Sequence, residues 1–233
     1  MRRSISSILH RGLVVSVQLD AGEPLHTPQH CALFAQAAEA GGAVAVRAEG
    51  LASIGEIRAT CRLPLIGCTR GDYGDGWMLV TPDMGAVDQL ARVGADVVAL
   101  DGTARTRPNG RSGPEFIAEV RARHPGLPIL ADISTVEEGA AAVEAGADAV
   151  STVLCGRTKE TYQHALESAP PLDLLASLVA GLAVPVLAEG FIWTLEEAHA
   201  AAAAGAWCVV VGGAITRPRV LTQLFADAVE GRS

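Results

Sequence analysis

Seven polar residues each close or directly follow a short apolar run: Gln18, Arg47, Arg70, Asp101, Asp132, Thr152 and Glu189. Packing explains a polar residue poorly at such a place. If the runs are parallel strands, these side chains converge on one mouth. A carboxylate there, such as Glu189, can act as a general base. A guanidinium such as Arg70 can stabilise negative charge as it develops. Glu189 is followed by Gly190, and the last apolar run ends in Gly212-Gly213, then Ala-Ile-Thr-Arg217-Pro218. Glycines let main-chain N–H groups approach an anion, the start of a short helix favours one, and an arginine can grip it with two parallel hydrogen bonds. Gly190, Gly212, Gly213 and Arg217 are therefore the candidate phosphate ligands. The chemistry implied is proton transfer on a phosphorylated small molecule.

The elements that must position these residues recur along the chain. Alanine-rich stretches end in a related phrase four times: AGGAVAVR (40–47), VGADVVALD (93–101), AGADAVSTV (145–153) and AGAWCVVVG (204–212). In each, a glycine can stop a helix in the left-handed conformation, and a β-branched strand follows at once. The pattern predicts strands at 13–18, 43–47, 64–68, 96–101, 128–132, 149–153, 184–188 and 207–211, with helices between and after them. Thr27, Thr81, Thr135 and Thr194 stand near the starts of four helices, and Thr135 and Thr194 have the spacing of a capping box. Eight strand–helix units predict an α/β fold, a (β/α)8 TIM barrel occupying residues 1–233 as one domain. A doubly wound open sheet is the alternative, but the first strand leads into Gln18-Leu-Asp-Ala-Gly-Glu-Pro, not a dinucleotide-binding turn. Loops at 68–80, 102–113 and 154–170 fall on the mouth side.

Composition sets limits. The formal charge is −8, and the one basic opening, Met1-Arg2-Arg3, is short, so binding to nucleic acid is not expected. No apolar run is long enough for a membrane span, and the N-terminal residues lack a secretory pattern, which points to the cytoplasm. The 5 cysteines are scattered, with neither disulfide nor zinc spacing. One lysine, Lys159, stands among 18 basic residues.

Several segments resemble the bacterial N-acetylmannosamine-6-phosphate 2-epimerases. They are Gly12-Leu-Val-Val-Ser-Val-Gln18, Glu23-Pro-Leu-His26, Gly41-Gly-Ala-Val-Ala-Val-Arg47, Pro64-Leu-Ile-Gly67, Ala95-Asp-Val-Val-Ala-Leu-Asp-Gly-Thr103, Ala131-Asp-Ile-Ser-Thr-Val-Glu-Glu138, Ala188-Glu-Gly190 and Val211-Gly-Gly-Ala-Ile-Thr-Arg-Pro218. Order and spacing hold from about residue 9 onward. The resemblance implies interconversion of N-acetylmannosamine 6-phosphate and N-acetylglucosamine 6-phosphate in sialic acid and amino-sugar catabolism, with no cofactor or metal, and suggests a homodimer. It makes Glu189 catalytic, Gln18, Arg47 and Asp132 substrate-binding or site-ordering, and Arg217 with the Gly212-Gly213 backbone phosphate ligands. Thr152 joins the substrate-binding candidates by its place at a strand end.

Two positions depart from that pattern. Where the family carries a catalytic lysine, this chain reads Gly67-Cys-Thr-Arg70-Gly-Asp-Tyr73. Phe191 stands where Glu-Gly is often followed by a basic residue. A lysine can lose its proton and act as a base, whereas a guanidinium keeps its proton. Arg70 can stabilise an enolate but cannot shuttle the proton, which leaves Asp101, Asp132 or the substrate's acetamido group as partners for Glu189. A sugar-phosphate isomerase with a shifted substrate, and a silent sugar-phosphate-binding barrel, are the alternative readings. Glu189 and the phosphate loop favour an enzyme; Arg70 favours the silent binder.

Overall fold

The repeated helix–glycine–strand unit closes on itself. The computed structural model describes residues 4–20, 22–74, 77–166 and 168–232; the basic opening Met1-Arg2-Arg3 lies outside them. Ten strands are present among the described residues: β1 (Gly12–Val17), β2 (Ala45–Glu49), β3 (Leu65–Cys68), β4 (Arg70–Asp72), β5 (Met78–Val80), β6 (Val97–Asp101), β7 (Ile129–Asp132), β8 (Ala149–Ser151), β9 (Val186–Glu189) and β10 (Cys208–Val211). Eight of them form a closed parallel barrel in the order β1-β10-β9-β8-β7-β6-β3-β2, and β4 pairs antiparallel with β5 outside it. The helices are α1 (Pro28–Ala40), α2 (Leu51–Thr60), α3 (Met84–Val93), α4 (Gly113–Arg123), α5 (Val136–Glu144), α6 (Tyr162–Ala165), α7 (Leu172–Gly181), α8 (Leu195–Ala203), α9 (Gly213–Thr216) and α10 (Pro218–Glu230). This is a (β/α)8 barrel and not the open sheet.

The glycines explain the repetition. Gly42, Gly94, Gly146 and Gly205, one in each of the four related phrases, have φ of 87°, 99°, 110° and 98°. An L-residue adopts that region at a cost, so each glycine turns its chain from helix to strand. Thr27, Thr135 and Thr194 cap α1, α5 and α8, the last two in full capping boxes with Glu138 and Glu197. Thr81 does not cap: Asp83 caps α3. Thr81 is buried, and its hydroxyl donates to Ala99 O at 2.7 Å and accepts from Thr69 N at 3.3 Å. It thereby fastens the end of β5 to β6.

Strand alternation splits the core in two. Val14, Ala45, Ile66, Val97, Leu130, Leu187 and Val210 point into the barrel, whose lower end is filled by Ile5 and Leu9. Val15, Val46, Val98, Ile129 and Val186 point outward against helix residues such as Ala35, Ile54, Leu90, Ile117 and Leu178. All five cysteines are free and buried.

Two loops differ from expectation. The stretch 68–80 holds the β4–β5 hairpin, and 154–170 holds α6. The sixth barrel strand ends at Ser151, because Thr152–Leu154 turn into a 3-10 helix.

Close packing at the mouth is testable at Gly113. A Cβ there would lie 2.5 Å from Thr103 O and 2.7 Å from Asp101 O, both backbone atoms at the end of β6. Gly113→Ala should destabilise the protein by about 1–3 kcal/mol in denaturant unfolding, the usual cost of overpacking. Gly126→Ala, whose Cβ would meet nothing within 4 Å, is the control and should leave stability nearly unchanged.

Candidate active site

A polar cavity of about 390 Å³ opens at the C-terminal ends of the barrel strands. That is within the range of small-molecule sites, and it lies where barrels carry their chemistry. A larger apolar groove lies outside the barrel and has no comparable cluster of polar groups.

The floor of the cavity is built on one cation. Arg47 leaves β2 pointing inward and is almost fully buried. Its Nη1 donates to Asp132 Oδ1 at 3.0 Å and to Glu189 Oε2 at 2.7 Å, and its Nη2 donates to Asp132 Oδ2. Asp132 ends β7 and Glu189 ends β9, so the three residues bridge the barrel from wall to wall. Burial works against the charge on Arg47, but Asp132 and Glu189 outweigh it and hold its pKa well above the usual arginine value. Burial pushes Asp132 up to about 6, against the pull of Arg47 and with the help of the Glu189 charge. Ser151 Oγ donates to Glu189 Oε2 at 3.2 Å. Both bonds to the Glu189 carboxylate therefore fall on Oε2, and Oε1 receives none among the described residues. Glu189 lines the cavity.

Thr152 sits behind this carboxylate. Its hydroxyl donates to Glu189 O at 2.9 Å and accepts from Glu189 N at 3.0 Å. It is buried and does not line the cavity. Arg47 and Asp132 likewise lie beneath the cavity wall, so these three expected substrate contacts are placed as supports for Glu189.

The rim carries the remaining charges. Arg70, the first residue of β4, pairs with Asp20 Oδ1 at 2.8 Å and with Glu49 Oε2 at 2.8 Å. Arg217 pairs with Asp20 Oδ2 at 2.9 Å and donates to Gln18 O at 3.1 Å. Asp20 thus bridges two arginines. Burial raises its pKa, but the Arg70 hydrogen bond and the Arg217 charge outweigh it, and the net shift is downward. Gln18 lines the cavity, with Nε2 3.5 Å from the Cys68 sulfur. Burial pushes the Cys68 thiol up to about 12, which keeps it an inert neutral neighbour.

At the other end, Gly190, Gly212 and Gly213 line the wall. Gly190 has φ 113°, and a Cβ on Gly213 would fall 2.5 Å from the Trp193 ring. Both positions need glycine, which leaves their backbone faces open to the cavity.

Asp101 is not part of the site. It is buried, its Oδ1 accepts from Thr103 N and Oγ1 at 3.0 and 2.6 Å, and its Oδ2 pairs with Arg105 at 2.9 Å. Arg105 in turn lies 4.2 Å over the Tyr73 ring. Asp101 organises the loops beside the mouth. Among the described lining residues, the carboxylates are Asp20 and Glu189. Sequence reading missed Asp20, Arg157 and Ser151. Strand alternation places Ser151 inward with Ala149, but nothing local marks Asp20 or Arg157. No group of three His, Cys, Asp or Glu side chains is placed to hold a metal among the described residues.

Comparison with known proteins gives a consistent picture. The family model described as "Putative N-acetylmannosamine-6-phosphate epimerase" matches residues 31–231. Bacterial relatives named "Putative N-acetylmannosamine-6-phosphate 2-epimerase" include one from Caldanaerobacter subterraneus subsp. tengcongensis, 42% identical over 232 residues, covering 100% of this chain and 97% of the relative. Another, from Cutibacterium acnes, is 42% identical over 220 residues, covering 94% of this chain and 93% of the relative. The solved N-acetylmannosamine-6-phosphate 2-epimerase of Clostridium perfringens superposes with a TM-score of 0.88 at 39% identity, covering 98% of this chain and 97% of that one. A thiamine phosphate pyrophosphorylase from Pyrococcus furiosus, at TM-score 0.60 and 19% identity, shares the fold alone.

The Arg47 bridge makes a signed prediction. Arg47→Met strands two buried carboxylates and should cost about 3–5 kcal/mol in denaturant unfolding. Asp132 already holds its proton more tightly folded than unfolded, up to about 6. Its contribution to stability is thus full below the unfolded value of about 4 and falls as pH rises through about 6. Without Arg47 that loss deepens and moves upward. The variant should therefore lag wild type by more at about pH 8 than at about pH 5. An equal deficit at both would contradict the bridge.

Proposed function

The chain belongs to the N-acetylmannosamine-6-phosphate epimerase family, and we propose that its barrel mouth interconverts N-acetylmannosamine 6-phosphate and N-acetylglucosamine 6-phosphate. The observation that carries this reading is Glu189. Its carboxylate is clamped through Oε2 by Arg47 and Ser151, with Oε1 unengaged, at the floor of a cavity rimmed by arginines. Such a group is preorganised to take a proton.

In the proposed reaction Glu189 removes the C2 proton of the open-chain sugar. The C–H electron pair moves into an enolate between C2 and C1, whose oxygen gains the negative charge. Arg70 stabilises that oxygen, a water from the open mouth gives a proton to C2 on the opposite face, and the hydroxide it leaves takes the proton from Glu189 to restore the carboxylate. Asp101 and Asp132 do not line the cavity and take no part in the proton transfer. Gly190, Gly212, Gly213 and Arg217 hold the phosphate. Gln18 contacts the sugar, while Arg47, Asp132 and Thr152 hold Glu189 in place. The whole chain acts as one domain in the cytoplasm, with no nucleic-acid partner. No helix of the described residues is long and apolar enough to cross a membrane.

A homodimer also has a specific observation behind it. Helix α10 has no buried residue, although Leu221, Leu224, Phe225, Ala228 and Val229 make an apolar stripe along it. The apolar groove of about 760 Å³ beside β1 and β10 is lined by Leu13, Trp193, Ala198, Ala202, Val209 and Ile215. An uncovered barrel flank and an unpacked helix in one chain fit each other across two copies, so we assign α10 of one copy to the groove of the other.

Wild type should exchange the C2 proton of N-acetylmannosamine 6-phosphate with deuterium from solvent, followed by proton NMR; a silent binder gives no exchange. Glu189→Gln should retain substrate binding and lose about 10²–10⁴-fold in exchange and turnover. A variant keeping more than about a tenth of the rate would remove Glu189 as the base.

Arg70 separates charge from proton transfer. Arg70→Met should lower turnover about 10²–10³-fold. Arg70→Lys should retain or raise it and add a basic limb to the pH–rate profile, because an amine can titrate. Full activity in Arg70→Met would make the residue a bystander.

Phe225→Asp should convert a dimer to a monomer in light scattering. A monomeric wild type would overturn the assignment of α10.

A further inference from the structure

Arg157 belongs to no motif noted in the sequence, and the proposed reaction does not use it. It follows the Thr152–Leu154 turn after β8 and lines the same cavity as Glu189, Gly190, Arg70 and Arg217. Its side chain is exposed at the mouth. Partial desolvation lowers its pKa, Glu189 pulls the other way, and the Arg217 and Arg70 charges lower it further.

Its surroundings do not satisfy it. Arg47 is matched by Asp132 and Glu189, and Arg70 and Arg217 share Asp20. Arg157 makes no ion pair or side-chain hydrogen bond with any described residue. Among the described residues its guanidinium faces the Phe191 ring, 6.0 Å from the guanidinium carbon. That distance is at the outer reach of a cation–π contact. Three arginines therefore line one cavity that offers Asp20 and Glu189 as its acids, and Glu189 is already committed to Arg47. A guanidinium beside two others, with no carboxylate of its own, is free to meet an anion that enters the cavity.

Its place is built. Gly156 turns the chain with φ 79°, and a Cβ there would fall 3.1 Å from both the Phe191 ring and Ala165 N. Gly156 N donates to Thr161 Oγ1 at 3.0 Å, and Thr158 and Thr161 share a hydroxyl bond of 2.8 Å. Phe191 follows Gly190 directly, so the ring that seats Arg157 belongs to the glycine turn assigned to the phosphate. Phe191 is also the position at which the sequence lacks an expected basic residue.

We propose that Arg157 is a phosphate-binding residue, the second arm of a clamp with Arg217. It supplies from the β8 loop the positive charge that Phe191 does not. A phosphate dianion meeting Arg217 alone would compete with Asp20 for one guanidinium; Arg157 offers an uncommitted one. Two planar forks then grip the phosphate from the loops that flank β9, with the glycine backbones behind it. This assignment rests on the reading of the cavity as a phosphosugar site.

Titration calorimetry with inorganic phosphate, together with the KM and kcat for N-acetylmannosamine 6-phosphate, tests it on the full chain. Arg157→Gln should weaken phosphate binding and raise KM by about 10- to 100-fold, the worth of a charged contact, with kcat within about twofold of wild type. Arg157→Lys should fall between. Adding Phe191→Arg to Arg157→Gln should recover part of the loss, which a merely structural role for Arg157 does not predict. If wild type binds phosphate and Arg157→Gln binds it equally well, the clamp is overturned while the phosphosugar reading stands. If wild type binds neither phosphate nor substrate, both fall.

Discussion

A single guanidinium spanning the barrel constrains everything above it. Arg47 can reach Asp132 and Glu189 only because β2, β7 and β9 are staggered so that their inward residues meet at one height. That stagger is fixed by the parallel register, in which Ser16 lies beside Arg47 and Glu189 beside Val210. A slip of one residue in any of these strands would turn its charged side chain outward against the helices. Burying three charges costs heavily unless each is paired, so the wrong register is selected against by electrostatics as well as by packing. The apolar layers below, closed by Ile5 and Leu9, keep water from relieving that penalty.

The loops above the barrel solve a different problem, which is to hold long cationic side chains in place without a core. For Arg70, Arg105, Arg107 and Arg217 they do so by pairing each with a fixed group. Asp101 anchors Arg105, and Arg105 covers Tyr73 at the tip of the hairpin whose first residue is Arg70. Arg107 stacks 4.1 Å over Phe116 and donates to Asp101 O at 3.2 Å. A residue that looked catalytic from its strand-end position thus serves the site at one remove, by setting the hairpin that presents Arg70.

The barrel was legible because its signals are local. A glycine after an alanine-rich helix and a β-branched run after the glycine are neighbours in sequence, and so are Thr135 with Glu138 and Thr194 with Glu197. What was not legible depends on residues far apart. Thr81 resembles the capping threonines, yet Asp83 two residues on has the better geometry, and Thr81 is drawn into a bond with Ala99 that only the folded chain supplies. Thr152 and Asp132 share the strand-end signature of Glu189, and only the fold shows that they face its back. Asp20 and Arg157 lie in loops with no periodicity, where no rule of spacing reaches them. Asp20 and Arg157 were thus missed because only a loop positions them, whereas Ser151, at the end of β8, was within reach of strand alternation.

Why Arg47 needs two carboxylates follows from the proton balance of the proposed reaction. With Glu189 ionised, Arg47, Asp132 and Glu189 together carry one net negative charge. When Glu189 takes the C2 proton the triad becomes neutral, and Arg47 is still paired with Asp132 through two hydrogen bonds. Had Glu189 been its sole partner, proton uptake would have stranded a buried cation and opposed the reaction. The negative charge that leaves Glu189 reappears on the enolate oxygen, where Arg70 is the proposed partner. The reaction thus moves one negative charge from a compensated floor to a cationic rim, with few charges in the cavity left to rearrange. Fixed charge of that kind is what a preorganised site requires. It assigns the titrating role to a carboxylate, in a site whose arginines keep their protons throughout.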